Sequence, residues 1–194
     1  MPEAMVLILI SYYFGRMPLG WWLLRSFGYR GHFPGIYTNT CFRQALLDFG
    51  WEGALVLLLS GLLKGSTIVW WAQAWGLSRP MTWVIVCLMV FGACRTHWGK
   101  YQDGSPLFTV MGTLVLLAPA VWQLSLAIWF ASLILFRRIW ITGLVTSMSL
   151  PWIFGYYHYA PWETTLGFFL SMALVNGITN GRVGYLWQKP TGVQ

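Results

Sequence analysis

Charge is the scarcest commodity in this chain. Only 9% of its 194 residues are charged, and five of those are acidic, where a soluble domain carries roughly 25% charged residues. A water-soluble protein of this size needs a charged shell around its core, and these residues are too few to build one. With 57% hydrophobic residues and a mean hydropathy of +0.60, most of the surface is expected to face lipid. Cysteine is nearly as sparse. Cys41, Cys87 and Cys94 form no even set for a disulfide framework and no Cys-x-x-Cys pair, and the three His are scattered, so no metal site and no cofactor are expected. The net charge of +7 would suggest nucleic acid in a soluble protein, but no basic run interleaves with aromatics in the way nucleic-acid binding requires. Low-complexity stretches, Gly-Ser linkers and internal repeats are also missing, so residues 1–194 read as a single integral membrane domain.

What is present is apolar and punctuated. Seven apolar segments are expected at residues 4–25, 53–75, 82–94, 107–118, 120–136, 139–156 and 164–181. Several are shorter than the ~20 residues that span a ~30 Å hydrocarbon core, so the third and fourth are expected to be partial or tilted helices that meet inside the protein. Met1-Pro-Glu-Ala has no basic n-region and runs directly into an apolar segment, which argues for a spanning helix rather than a cleaved signal. Pro80 suits a helix start. Ala118-Pro119, Arg137-Arg138 and Tyr157 to Trp162 separate later segments. The fold class is therefore all-α: a polytopic membrane protein of about seven short transmembrane helices.

Charge sidedness orients it. With the N-terminus outside, the inner loops and tail hold Arg25, Arg30, Arg43, Arg95, Lys100, Arg137, Arg138, Arg182 and Lys189. The outer loops hold only Arg79. This asymmetry is a positive-inside signal and predicts N-terminus out, C-terminus cytoplasmic. The segment ends are framed by Trp21-Trp22, Trp70-Trp71, Trp152, Tyr156-Tyr157 and Trp187, as an interfacial aromatic belt would be. Met89, Met111 and Met172 read as packing residues.

Polar features are few. Two loops, about 26–52 and 95–106, carry most of the inner cations, together with His32, Thr38, Asn39, Gln44, His97 and Gln102. They can serve as topology determinants alone or as a site for phosphate or anionic lipid headgroups. Lys64 lies about eleven residues into an apolar run, between Gly61 and Gly65. An ionisable residue at that depth is a functional-site hypothesis by default, and snorkelling to the interface is the plain alternative. Arg16 lies in Gly15-Arg-Met-Pro-Leu-Gly20, where Pro18 is expected to kink the first segment. No paired carboxylates and no Ser, His and Asp in a recognisable order appear, and His97 is a lone loop histidine.

These residues resemble the bacterial acyl-phosphate:glycerol-3-phosphate acyltransferases, small seven-helix inner-membrane enzymes. Gly15-Arg-Met-Pro-Leu-Gly20 is similar to that family's Gly-Ser-Ile-Pro-Phe-Gly. Thr38-Asn39 followed by Arg43 is similar to Gly-Ala-Thr-Asn-x-x-Arg with one extra residue. Leu63-Lys-Gly65 is similar to the end of Leu-Asp-x-x-Lys-Gly, and Leu114 to Pro119 to Leu-Leu-Ala-x-x-Pro. Phe136-Arg137 and the apolar helix to Pro151 also fit. The resemblance implies a multi-pass protein of the bacterial inner membrane in phospholipid synthesis. Membrane lipids, acyl phosphate and glycerol 3-phosphate would be its partners, and Lys64, Asn39, Thr38 and Arg43 its substrate-binding residues for phosphate or a lipid headgroup. No catalytic residue is assigned.

The departures are concentrated. The family's second-helix Asp falls at Gly61. The first-loop Ser-Gly-Asn is replaced around Phe33-Pro34-Gly35. In the third motif the family His falls at Ala93, its Phe-Pro at Arg95-Thr96, and its Lys-Gly-Gly-Lys-Gly at Gln102-Asp-Gly-Ser-Pro106, keeping only Gly104. A Gly-rich basic loop offers backbone N–H groups and charge to phosphate. Pro106 removes a donor and Asp103 adds a repelling charge. The expectation is weakened or lost catalysis, with a lipid-binding role or a place as a subunit among other membrane proteins. The alternative is an active lipid acyltransferase that moves an acyl chain from acyl phosphate to glycerol 3-phosphate or a related acceptor. A third reading, an unrelated small membrane subunit, takes the likeness as apolar composition alone.

Overall fold

The computed structural model describes residues 2–28, 38–94 and 106–187; within them, the side chains of residues 2–4, 38–45, 47–48, 139–140 and 177–187 are left out. Every element among the described residues is an α-helix: α1 (Pro2–Arg16), α2 (Leu19–Ser26), α3 (Thr38–Ala74), α4 (Arg79–Cys94), α5 (Pro106–Leu117), α6 (Pro119–Phe136), α7 (Ile139–Tyr156) and α8 (Pro161–Trp187). The all-helical expectation holds, and the last five expected segments match α4 to α8 to within a few residues at their starts. The tail of the seventh differs most, since α8 continues to Trp187.

The first two segments differ in kind. The stretch 4–25 is two helices, because Pro18 has no N–H to continue the ladder. The chain tightens there: the Met17 N–H donates to the Phe14 carbonyl at 3.2 Å, Leu19 N–H to the Met17 carbonyl at 3.0 Å, and Trp22 N–H to the Pro18 carbonyl at 3.1 Å as α2 begins. The stretch 53–75 belongs to a longer helix that begins at Thr38, inside what reads in sequence as the first inner loop. Gly50 interrupts it at φ 67°, ψ −161°, a conformation that glycine adopts without steric cost. One helix thus breaks by a missing donor and the other by a left-handed residue.

The packing explains the short segments. In α5, ten of twelve residues are buried. A helix that is apolar all round belongs inside, and at 1.5 Å per residue α5 is only about 18 Å long. It lies against α3, while α1 packs on α4, α6 on α7, α7 on α8 and α2 on α3. Glycines set the closest approaches. A Cβ at Gly65 would lie 2.7 Å from the Thr113 amide nitrogen, and one at Gly112 2.8 Å from the Leu62 Cα. Gly15 and Gly92 play the same reciprocal part between α1 and α4, against Met89 and Tyr12. The central core gathers Trp83, Phe108, Trp129, Phe154 and Leu174, with Trp83 and Phe154 edge to face at 5.6 Å. Several buried hydroxyls bond within their own helices, as Ser60 does to the Leu57 carbonyl and Ser147 to the Gly143 carbonyl.

The outside is as apolar as the inside. Leu9, Leu55, Leu63, Trp70, Phe130, Ile134, Trp152 and Phe169 are all exposed, an amount of uncovered apolar surface that a soluble monomer does not carry. Among the described residues two helical stretches, Phe49–Ala74 and Pro119–Phe136, are long and apolar enough to cross a membrane by length and composition.

Candidate functional site

Lys64 is the most buried cation among the described residues, 2% exposed in the middle of α3. Its ammonium donates to the Met17 carbonyl at 2.6 Å and to the Gly15 carbonyl at 3.3 Å. These two carbonyls lie just before the Pro18 break, at the negative end of α1. The Met17 carbonyl also accepts from the Leu19 N–H, and a cation there complements the helix dipole. Lys64 thus ties the middle of α3 to the end of α1 across the interior, instead of snorkelling to a surface.

The glycines beside Lys64 explain one departure noted in the sequence. Gly61, which stands where the resembling family has Asp, faces α5: a Cβ there would lie 2.7 Å from the Phe108 Cβ. An Asp at 61 would share a helix face with Lys64 three residues on. In this chain α5 occupies that space, and Lys64 takes backbone carbonyls as partners.

Arg16 sits between the two carbonyls that Lys64 holds. Its guanidinium stacks over the Tyr12 ring at 5.7 Å, and its Nε is buried without a hydrogen-bond partner. In sequence the Gly15–Gly20 stretch stands out for its kink; nothing there signals a buried, unbonded guanidinium nitrogen.

Of the other expected site residues, Thr38, Asn39 and Arg43 lie in the first two turns of α3, with side chains outside the described residues. The 95–105 part of the second inner loop, with Arg95, His97, Lys100 and Asp103, lies outside them too. Sequence reasoning missed two features. One is an apolar groove of about 1330 Å³ along α6, α7 and α8, lined by Ile128, Met148, Trp152, Phe168, Met172 and Asn176. The other is a buried carboxylate: Glu163 (4% exposed) accepts from the Arg79 Nε at 2.8 Å and the Trp83 Nε1 at 3.2 Å. Pro151 inside α7 was a usable signal for the groove; for Glu163 the sequence offered none. Among the described residues no cluster of His, Cys, Asp or Glu is suited to hold a metal.

Comparison with known proteins identifies the family. The family model described as glycerol-3-phosphate acyltransferase matches residues 5–180. A glycerol-3-phosphate acyltransferase from Thermus thermophilus is 27% identical over 177 residues, covering 90% of this chain and 87% of the relative. One from Helicobacter pylori is 27% identical over 133 residues, or 64% of this chain, and the match spans only 60% of that relative's length. Two crystal structures of PlsY (YgiH), an integral membrane glycerol 3-phosphate acyltransferase, share the fold. The lysophosphatidic acid form superposes at a TM-score of 0.76 and the glycerol 3-phosphate form at 0.75, each 16% identical and covering 99% of this chain and 96% of its own. The family match over nearly the whole chain removes the reading of chance apolar likeness: the protein belongs to the glycerol-3-phosphate acyltransferase family.

Proposed function

We propose that this chain is an active membrane acyltransferase that esterifies glycerol 3-phosphate with an acyl chain from acyl phosphate, yielding lysophosphatidate. The observation that carries it is the family match across residues 5–180. It outweighs the departures in the third motif, on which the expectation of lost catalysis rested; the relatives are named as acyltransferases, and nothing in the described residues favours a subunit role.

The chemistry is a single acyl transfer. The glycerol hydroxyl oxygen attacks the acyl carbonyl carbon and the new ester C–O bond forms. The carbonyl C–O bond to phosphate breaks, phosphate leaves with the electron pair, and the hydroxyl proton is passed to it or to solvent. Two anionic substrates must be held close together, so the work of the site is positioning and charge compensation. Lys64 supplies a buried positive charge at the helix break. Arg43 would pair with the acceptor phosphate, and Thr38 and Asn39 would orient the hydroxyl or the backbone beside it. The α6–α7–α8 groove is suited to a hydrocarbon chain, since it is apolar and opens toward the exposed helix faces. The reading places the protein in the bacterial inner membrane in seven passes, with α1 and α2 as one broken pass and the C-terminus cytoplasmic. The apolar outer surface supports it.

Reconstituted protein supplied with acyl phosphate and glycerol 3-phosphate is expected to form lysophosphatidate. Arg43→Ala should lower turnover at least tenfold, the scale of losing a charge-assisted phosphate contact. Well-folded protein that turns over neither glycerol 3-phosphate nor a related polyol phosphate would overturn the proposal.

A further inference from the structure

Lys64 and Arg16 divide the work at the helix break. Two of the three Lys64 N–H donors are directed at the Gly15 and Met17 carbonyls, so this cation is committed to the backbone on either side of Arg16. Arg16 shows the opposite pattern. Its Nε is buried and unbonded, and its guanidinium rests on the Tyr12 ring. The residue as a whole is half-buried; an unsatisfied donor out of reach of water is costly, and a cation set between apolar helices is suited to a ligand or a wet pathway. The buried carboxylate among the described residues, Glu163, is already engaged by Arg79. Among the described residues, no ion pair joins Arg16 to an anion.

We infer that Arg16 binds a phosphate group of a substrate, and that Lys64 is the positioning residue that holds the break open around it. The inference rests on the acyltransferase reading and adds to it a residue where the resembling motif carries Ser. A guanidinium fits a phosphate monoester better than an ammonium does, because its planar fork makes paired N–H···O bonds. Tyr12 beneath it restricts its orientation and adds a cation–π contact. The Pro18 break supplies the opening, since α1 stops at Arg16 and α2 begins at Leu19.

The test uses purified full-length protein and two readouts, with Arg16→Ala, Arg16→Gln and Arg16→Lys. The first readout is the rise in Tm that glycerol 3-phosphate and, separately, acyl phosphate produce in detergent, with glycerol as the uncharged control. The second is the KM and kcat of acyl transfer. Arg16→Ala and Arg16→Gln are expected to abolish most of the Tm rise produced by one substrate and to raise that same substrate's KM about tenfold or more, with kcat within a few-fold of wild type. Arg16→Lys should recover part of both. The substrate whose KM moves, glycerol 3-phosphate or acyl phosphate, is the one Arg16 holds. A purely structural role would lower the basal Tm while leaving the ligand-induced increment and both KM values unchanged, and that result overturns the inference. If Arg16→Ala fails to fold, the Gln and Lys variants decide by the same criteria. Wild-type protein that shows the Arg16-dependent Tm rise but no turnover keeps this assignment while removing the acyltransferase reading.

Discussion

At the scale of single residues, what matters is which partner of a buried pair can return to water. Glu163 is almost wholly buried, while the Arg79 side chain that pairs with it is 52% exposed. Removing the arginine strands a carboxylate with only Trp83 as a donor; removing the charge of Glu163 leaves an arginine that water can solvate. Arg79→Ala is therefore expected to cost about 3 kcal/mol, and Glu163→Gln about 1 kcal/mol or less, measured as differences in thermal or denaturant stability in detergent. Equal costs would show that the pair contributes through packing and not through charge. This pair was invisible in the sequence, because eighty-four positions separate the two residues and no local pattern links them. Lys64 was legible for the opposite reason: a lysine deep in an apolar run is anomalous by itself. Its partners were not, since they are backbone oxygens beside a proline forty-six residues earlier.

At the scale of elements, the sequence showed where helices start and stop and not how closely they touch. Proline and arginine punctuation marked the α5–α6 and α6–α7 boundaries because a missing N–H and a charged pair act locally. The start of α3 at Thr38 was hidden because its first turns are polar, and a polar helix end looks like a loop. Gly50 and Gly65 look alike in sequence. The first permits a backbone turn, and the second lets α5 approach α3 to backbone contact. Gly65→Ala should force α3 and α5 apart and destabilise by roughly 1–3 kcal/mol, the usual cost of overpacking. Because Lys64 is the preceding residue, turnover should fall with it. Alanine at Gly155, which has open space around it, should leave both unchanged. A Gly65→Ala protein with wild-type Tm would mean that the two helices are not in the contact described. The break itself is open to the same kind of test. Pro18→Ala restores an N–H and removes the ring, so α1 can run on into α2. Stability should hold or rise, while turnover falls because the carbonyls that Lys64 engages are drawn back into the helix.

At the scale of the whole molecule, the helix ends sort into two sides. The Arg79–Glu163 pair joins the starts of α4 and α8, and the Cys94 thiol contacts the Ala173 carbonyl at 3.6 Å further along both, so the two helices run in the same direction. The α6–α7 turn, with exposed Arg137 and Arg138, lies at the opposite end from the α7–α8 turn. Arg137 and Arg138 therefore lie on the side opposite Arg79. The band between these ends is where the lipid reading can fail. Phe130 lies past the middle of α6 and is 51% exposed. If it faces hydrocarbon, Phe130→Asp should cost about 2.5–3.5 kcal/mol of insertion, the scale for Asp near a helix centre. The fraction of protein that stays membrane-integrated through an alkaline wash would then fall sharply, whereas Phe130→Leu would integrate as wild type. In a water-facing position the same Asp would be nearly neutral. Wild-type integration and folding of Phe130→Asp would therefore put water at this face of α6, and the seven-pass arrangement would have to be redrawn with that helix turned away from lipid.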